Sequence, residues 1–422
     1  MNKRLFMLIL ENYKFQLNQG SMDSSSDTFI YPARMVIFFL VLGLTSFSCN
    51  NRGVDTEPLL CVGNYWTDEE GAAFLKEIRQ TYTTLEDWEK RKSLIRNQII
   101  KGAELDELPA KCPLNPIIGE KRIYEGYQVQ NIAFESLPGV FVTGSLYSPT
   151  GKEGLLPGIL SPHGHWPNPA DYGRYRPDAQ KRFAAMARMG AIVLAYDMVG
   201  YGQLVDFGWE HHHPEALKLQ LWNSIRAVDF LLEMGAEPDN IASTGASGGG
   251  SQTFYHTAVD ERISVSVPVV MVSAHFFGGC ICESGMPIHK TAHFQTNNVE
   301  IAALAAPRPM LLVSVGGDWT RNTPEIEYPH CKYIYELYGK PDNTGFVHLP
   351  EEGHGYDYNK RLAVYPFLAK HLGLDLEKAV NPDGSLNEEG IVIEDKKDLY
   401  PFDSINPYPD YGIRHNDDVK WE

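Results

Sequence analysis

The chain has 422 residues, enough for one large α/β domain with extensions or for two small domains, and its 43% hydrophobic content suits a globular protein with a sizeable core. With 54 acidic and 37 basic residues the net charge is −17, which repels phosphate backbones and argues against nucleic acid as a partner. The same charge gives no attraction to anionic lipid, and six scattered cysteines do not make a small disulfide framework.

Residues 1–48 read as a targeting segment. The apolar run 35–44 follows Arg34; it is short for a membrane-spanning helix and suits a signal-peptide core. It ends in Ser46-Phe47-Ser48-Cys49, where a small residue before a cysteine resembles a bacterial lipoprotein cleavage site. Cys49 would then become the acylated first residue, each buried CH₂ adding about 0.8 kcal/mol of anchorage. This implies a body held outside the cytoplasm at a bacterial membrane, periplasmic or on the cell surface.

A linker and helical extension, 49–126, follows. Thr67-Asp68-Glu69-Glu70 is a capping box that starts a helix running to about residue 82. A second amphipathic helix begins near Thr84, carries Trp88, Leu94, Ile95 and Ile99, and stops at Gly102. Both are expected to pack on a sheet that begins near Tyr127. Strands at 128–134 and 140–147 share a turn at Leu137-Pro138-Gly139. Then the order becomes strand 158–161, helix 179–189, strand 191–196, helix 215–234, strand 241–246. Strands at 264–273 and 309–315, a helix at 325–338, a strand at 345–349 and a helix at 360–371 complete a domain spanning 127–374. This alternation predicts a mostly parallel sheet with helices on both faces, the layout of an α/β-hydrolase. The tail, 375–422, is acidic, with one short strand expected at 391–393.

Chemistry concentrates where strands end, because loops at the carboxyl ends of parallel strands carry the reactive groups of such sheets. Gly245-Ala246-Ser247-Gly248-Gly249 between a strand and a helix is a G-x-S-x-G nucleophile elbow. Ser247 is the candidate nucleophile, and the N–H of Gly248 can face a developing oxyanion. After the strand at Ile159 comes Pro162-His163-Gly164-His165-Trp166; the backbone N–H of His165, or that of Gly164, is the candidate second oxyanion donor. His163 and Trp166 are candidates for lining the substrate. Asp318, after the strand ending at Val315, can hold an imidazole tautomer, and Glu283 is a rival acid and otherwise a substrate contact, as is Trp319. His354, between two glycines after the last strand, is the candidate general base. Ser247, Asp318, His354 is the chain order of α/β-hydrolases.

Other polar groups suggest less. Asp197, at a strand end, reads as a loop-holding residue. His211, His212 and His213 are adjacent, so they cannot all face one ion. Cys280-Ile281-Cys282 has no companion pair, and two buried thiols under a loop are the preferred reading over a metal or redox pair. His275, His289 and His293 lie in a connection longer than the sheet needs, which suggests a role in specificity. No metal or cofactor is expected.

Four motifs carry a family likeness: His163-Gly164-His165-Trp166, Gly245-Ala246-Ser247-Gly248-Gly249, Gly278-Gly279-Cys280-Ile281-Cys282-Glu283-Ser284-Gly285, and Gly317-Asp318-Trp319-Thr320-Arg321-Asn322-Thr323-Pro324. The region 127–374 resembles the acetyl xylan esterases of the dienelactone-hydrolase-like branch of the α/β-hydrolase superfamily. That resemblance implies a serine carboxylesterase removing acetyl groups from plant polysaccharides, with Ser247, Asp318 and His354 as its triad. Two other readings stay open. The same triad could act on a uronate methyl ester, a lactone or a peptide, or the chain could be a non-catalytic glycan-binding lipoprotein.

Overall fold

A computed structural model gives the fold and describes residues 60–165 and 173–421. The targeting segment, Cys49 and Trp166 lie outside the described residues. Thr67 caps the first helix as its sequence demands. Its hydroxyl accepts the Glu70 N–H at 3.2 Å, and the Glu70 carboxylate accepts the Thr67 N–H at 2.8 Å. That helix, α1, is Asp68–Ile78, and α2 is Leu85–Gly102.

Two short strands, β1 (Ile117–Ile118) and β2 (Arg122–Tyr124), come before β3 (Tyr127–Leu137) and β4 (Val140–Pro149). The β/α alternation follows: β5 (Leu156–Leu160), α3 (Pro177–Met189), β6 (Ile192–Tyr196), α4 (Ala216–Glu233), β7 (Ala236–Ala246), α5 (Gly248–Val259) and β8 (Ile263–Val269). The long connection after β8 holds α6 (Ile281–Ser284), a small hairpin of β9 (Lys290–Thr291) and β10 (Phe294–Gln295), and α7 (Asn298–Ala303). β11 (Met310–Val315), α8 (Tyr328–Leu337), β12 (Thr344–Leu349) and α9 (Tyr358–Leu372) complete the domain.

The main sheet runs β1-β3-β4-β6-β5-β7-β8-β11-β12, with β2 also paired to β3. Pairing is antiparallel from β1 through β4 to β6, and parallel from β6 to β12. Register brings the parallel ends level. Ala246 stands beside Val269, Val269 beside Val313, and Val315 beside Leu349. The loops that follow β5, β7, β8, β11 and β12 therefore open on one rim.

Three expectations about the elements are corrected. The strand expected to reach residue 273 stops at Val269, because Val270 turns to φ 47° and gives its N–H to Val313 O. No strand forms at 391–393; the Val392 N–H donates to the Tyr127 hydroxyl instead of to a strand ladder. The second of the N-terminal helices rests chiefly on other helices. Trp88, Ile95 and Ile99 of α2 join Phe254 of α5 and Ile334 of α8 in one buried cluster, and the main neighbours of α2 are α5 and α7.

In a second buried cluster Phe134 of β3 stacks on Phe230 of α4, with ring centres 4.9 Å apart. The acidic tail is docked as coil broken by short 3-10 turns at Leu376–Lys378, Lys396–Leu399 and Asn416–Asp418. The Asn131 amide donates to the carbonyls of Asp398 and Tyr400, and Gln203 exchanges two hydrogen bonds with the Phe402 backbone.

Candidate active site

β7 ends at Ala246 and α5 starts at Gly248, so the single residue between them makes the whole turn. Ser247 adopts φ 58° and ψ −127°. A non-glycine residue in such a conformation stores about 1–3 kcal/mol and persists only where its surroundings over-determine it. Here they do. The Ser247 N–H donates to Val269 O at 3.1 Å, and Ser247 O accepts from the Ser251 N–H at 3.0 Å. Glycine is required around it by lack of space. A Cβ on Gly245 or Gly249 would lie 2.5 or 2.4 Å from Pro162 O. The turn after β5 presses equally close, since a Cβ on Gly164 would lie 2.7 Å from Ala246 O and 3.0 Å from Ser247 Cβ.

The loops after β11 and β12 bring Asp318 and His354 together. His354 Nδ1 lies 2.7 Å from Asp318 Oδ2, while Asp318 Oδ1 accepts from the Thr320 N–H at 2.7 Å and the Thr320 hydroxyl at 2.6 Å. The carboxylate is buried, whereas the imidazole side chain is 29% exposed. A carboxylate fixed on both oxygens orients the ring that donates to it and leaves Nε2 as the acceptor. Trp319 flanks the ring at 4.7 Å and stacks on Phe276 at 4.0 Å. Among the described residues no hydrogen bond joins Ser247 to His354, and the serine hydroxyl faces a cavity.

That cavity holds about 520 Å³, and its wall includes Ser247, His165, Tyr201, Phe276, Glu283 and Trp319. Tyr201 and Phe276 were not singled out by sequence, because nothing local marks an aromatic residue as pocket-facing. The connection between β8 and β11 does contribute to the wall, through Phe276, Gly279, Cys280 and Glu283. Glu283, the rival acid, is committed elsewhere. Its Oε1 accepts from the Ser251 hydroxyl at 2.8 Å and its Oε2 from the Cys280 N–H at 3.1 Å.

His163 corrects an expectation. It does not line the cavity but is buried under the turn, with Nδ1 2.9 Å from Gly164 O and Nε2 accepting the Met198 N–H at 3.2 Å. Burial pushes its pKa down to about 4, so it is a neutral strut. Asp197 is likewise structural. It accepts from Arg174 Nε at 3.0 Å and from the Thr143 hydroxyl at 2.7 Å, all three groups being buried. His275 sits 3.1 Å from Asp68 Oδ1, and His289 sits 2.8 Å from Asn298 Oδ1; both are buried away from the cavity.

The largest departure from expectation concerns the thiols. The His165 side chain points away from the turn to meet His211, Cys280 and Cys282. Its Nε2 lies 3.0 Å from His211 Nε2 and 3.2 Å from Cys282 Sγ, and His211 Nε2 lies 3.2 Å from Cys280 Sγ. Four potential ligand atoms thus fall within 4.8 Å of one another. Of the histidine run only His211 joins them; His213 turns out to Asp417 at 3.0 Å. The Cys280 thiol is held well below its ordinary range, chiefly by the hydrogen bond from Cys282, and burial pushes the Cys282 thiol up. Neither cysteine is in a disulfide. The imidazole of His165 also covers the elbow, since a Cβ on Gly248 would meet it at 2.5 Å.

No family model matches the chain. Among solved structures, Methylesterase BT1017 is 37% identical, covering 83% of this chain and 78% of its own, with a TM-score of 0.76. The curated 4-O-methyl-glucuronoyl methylesterase of Phanerochaete carnosa (strain HHB-10118-sp) is 25% identical over 326 residues, 64% of this chain and 72% of its own. The acetyl xylan esterase from Paenibacillus sp. R4 is 15% identical, covering 66% and 94%, with a TM-score of 0.44. An identity of 37% across most of both chains, on a fold that carries a strained serine elbow, makes this chain a member of that methylesterase's family: a serine carboxylic ester hydrolase of the α/β-hydrolase superfamily.

Proposed function

We propose that the protein is a methylesterase that frees the carboxylate of a methyl-esterified uronic acid in a plant-type polysaccharide, with Ser247, Asp318 and His354 as its triad. The observation that carries this reading is the 37% identity to a methylesterase, supported by the curated likeness to a glucuronoyl methylesterase. The cavity agrees. In a uronate methyl ester the sugar is the acyl part and must sit beside the serine, whereas an acetyl ester places only a methyl group there. A space of about 520 Å³ with Trp319, Phe276 and Tyr201 on its wall takes a sugar ring beside the serine, as that acyl part requires.

In this scheme Ser247 Oγ attacks the ester carbonyl as His354 Nε2 takes its proton, and Asp318 stabilises the imidazolium. The backbone N–H groups of Gly248 and His165 hold the oxyanion. The C–O bond to methoxide then breaks, and His354 returns the proton so that methanol leaves. Water attacks the uronoyl-enzyme by the same proton path, releasing the uronic acid and restoring the Ser247 hydroxyl.

The test is product analysis. Wild-type protein on methyl-esterified pectin fragments and on acetylated xylan is expected to release methanol from the first far faster than acetate from the second. Ser247→Ala should lose roughly 10⁶ in kcat. Faster acetate than methanol release would overturn the substrate reading, and near wild-type activity of Ser247→Ala would overturn the triad.

A further inference from the structure

We propose that Nε2 of His165, Nε2 of His211, and the sulfurs of Cys280 and Cys282 bind one zinc ion in a closed tetrahedral site, which ties the turn after β5 to the wall of the cavity beside Ser247. The argument begins with distance. Zinc bonds of about 2.0–2.1 Å to nitrogen and 2.3 Å to sulfur place tetrahedral ligand atoms about 3.4–3.8 Å apart. The four atoms here already lie within 4.8 Å of one another, and three of their contacts are 3.0, 3.2 and 3.2 Å. Shifts of up to about 1 Å, opening the short contacts and closing the longest, would place a zinc ion at their centre.

The tautomer is also that of a ligand. His211 Nδ1 lies 2.6 Å from Val199 O, so its proton is on Nδ1 and its Nε2 lone pair is directed at the other three atoms. Metal-bound histidines are oriented in this way by a carbonyl behind the ring. Without a cation, the two thiol protons can each meet one imidazole lone pair, but the two Nε2 atoms then stand 3.0 Å apart with their lone pairs turned toward each other. With a cation all four atoms donate to the metal. Two sulfurs and two imidazole nitrogens select zinc over calcium or magnesium, which take oxygen.

The four ligands come from three loops: the turn after β5, the loop after β6, and the start of α6. The ion would therefore fix three independent segments at once. Because the protein fills all four positions, none remains for water or substrate, as in structural rather than catalytic zinc sites. Its task would be positional. His165 contributes its side chain to the metal, and the ring lies over Gly248, the first residue of α5. Binding would thus set the distance between the turn and the elbow. The site stands independently of which ester is cleaved, since its evidence is the ligand set itself.

The experiment is metal stoichiometry by mass spectrometry on full-length protein, incubated with Zn²⁺ under reducing conditions and dialysed. One zinc per chain is expected, lost in Cys282→Ser and retained in His293→Ala, whose exposed side chain lies outside the cluster. Co²⁺ exchanged into the wild-type chain should give the intense visible bands of a tetrahedral ion and a thiolate charge-transfer band in the near ultraviolet, a readout that needs no variant to fold. A folded wild-type chain with both thiols reduced that retains no metal, or octahedral cobalt without the thiolate band, would overturn the site. So would a Cys280–Cys282 disulfide that persists under mild reductant.

Discussion

At the scale of the residue, the Asp318–His354 pair is the most finished piece of the site. The carboxylate is buried and accepts from Thr320 on one oxygen and from the imidazole on the other. Asp318→Asn keeps the shape but can present its NH₂ to the ring and select the wrong tautomer. A fall of roughly 10⁴-fold in kcat is expected, from the same substitution in serine protease triads, with little change in KM or in thermal midpoint. A variant within tenfold of wild type would remove Asp318 from the triad, and Glu283 could then be tested in turn. Why some residues were legible and others were not is physical. Ser247, Asp318 and His354 each follow a predicted strand and have glycine beside them, so chain position alone puts them on the rim. His163 and His165 share one turn. Their side chains leave it in opposite directions, one into the core and one toward the thiols, and no local pattern distinguishes the two.

At the scale of the element, the elbow depends on backbone meeting backbone. The carbonyl of Pro162 sits where a Cβ on Gly249 would go, at 2.4 Å, and backbone cannot rotate aside as a long side chain can. Gly249→Ala is expected to cost about 1–3 kcal/mol of stability, as overpacking does, and to lower activity beyond that by displacing the turn after β5. Gly345→Ala in β12, where a Cβ would make only an ordinary contact at 3.6 Å with Leu311, should change stability by less than about 0.5 kcal/mol. Equal effects in urea denaturation would refute the close-approach argument. The alternation of strands and helices from β5 to α9 was readable because each apolar run is bounded by turn residues. β1, β2, β9 and β10 were not, since two or three residues carry no periodicity. The docking of α2 on α5 and α7 escaped the sequence for another reason: an apolar face announces that it will be covered but not by what.

At the scale of the whole molecule, buried ionisable groups set how stability follows pH. His163 and His289 are pushed down to about 4 and His330 to about 3, each by burial, and all three side chains are almost wholly inaccessible. Their unfolded pKa is near 6.5, so between 6.5 and these values the unfolded chain binds protons that the folded chain refuses. Their contribution is complete above pH 6.5 and lost as pH falls toward 4, each by up to about 3 kcal/mol. Glu327 acts in the opposite sense. Burial raises its carboxyl to about 7 from 4.5, and one of its oxygens has no hydrogen-bond partner among the described residues. Its contribution is complete below pH 4.5 and lost as pH rises through 7. The urea midpoint should therefore climb from pH 4 and level off above 6.5, where the Glu327 loss runs against the last of the histidine gain and against the low-lying Cys280 thiol. Glu327→Gln, neutral at every pH, should make the midpoint rise more steeply between pH 4.5 and 7 and leave the limb below 4.5 intact. An acid limb that is flat between pH 4 and 6.5 would mean that these histidines are hydrated in solution. The buried strut assigned to His163 beneath the turn after β5 would then be wrong.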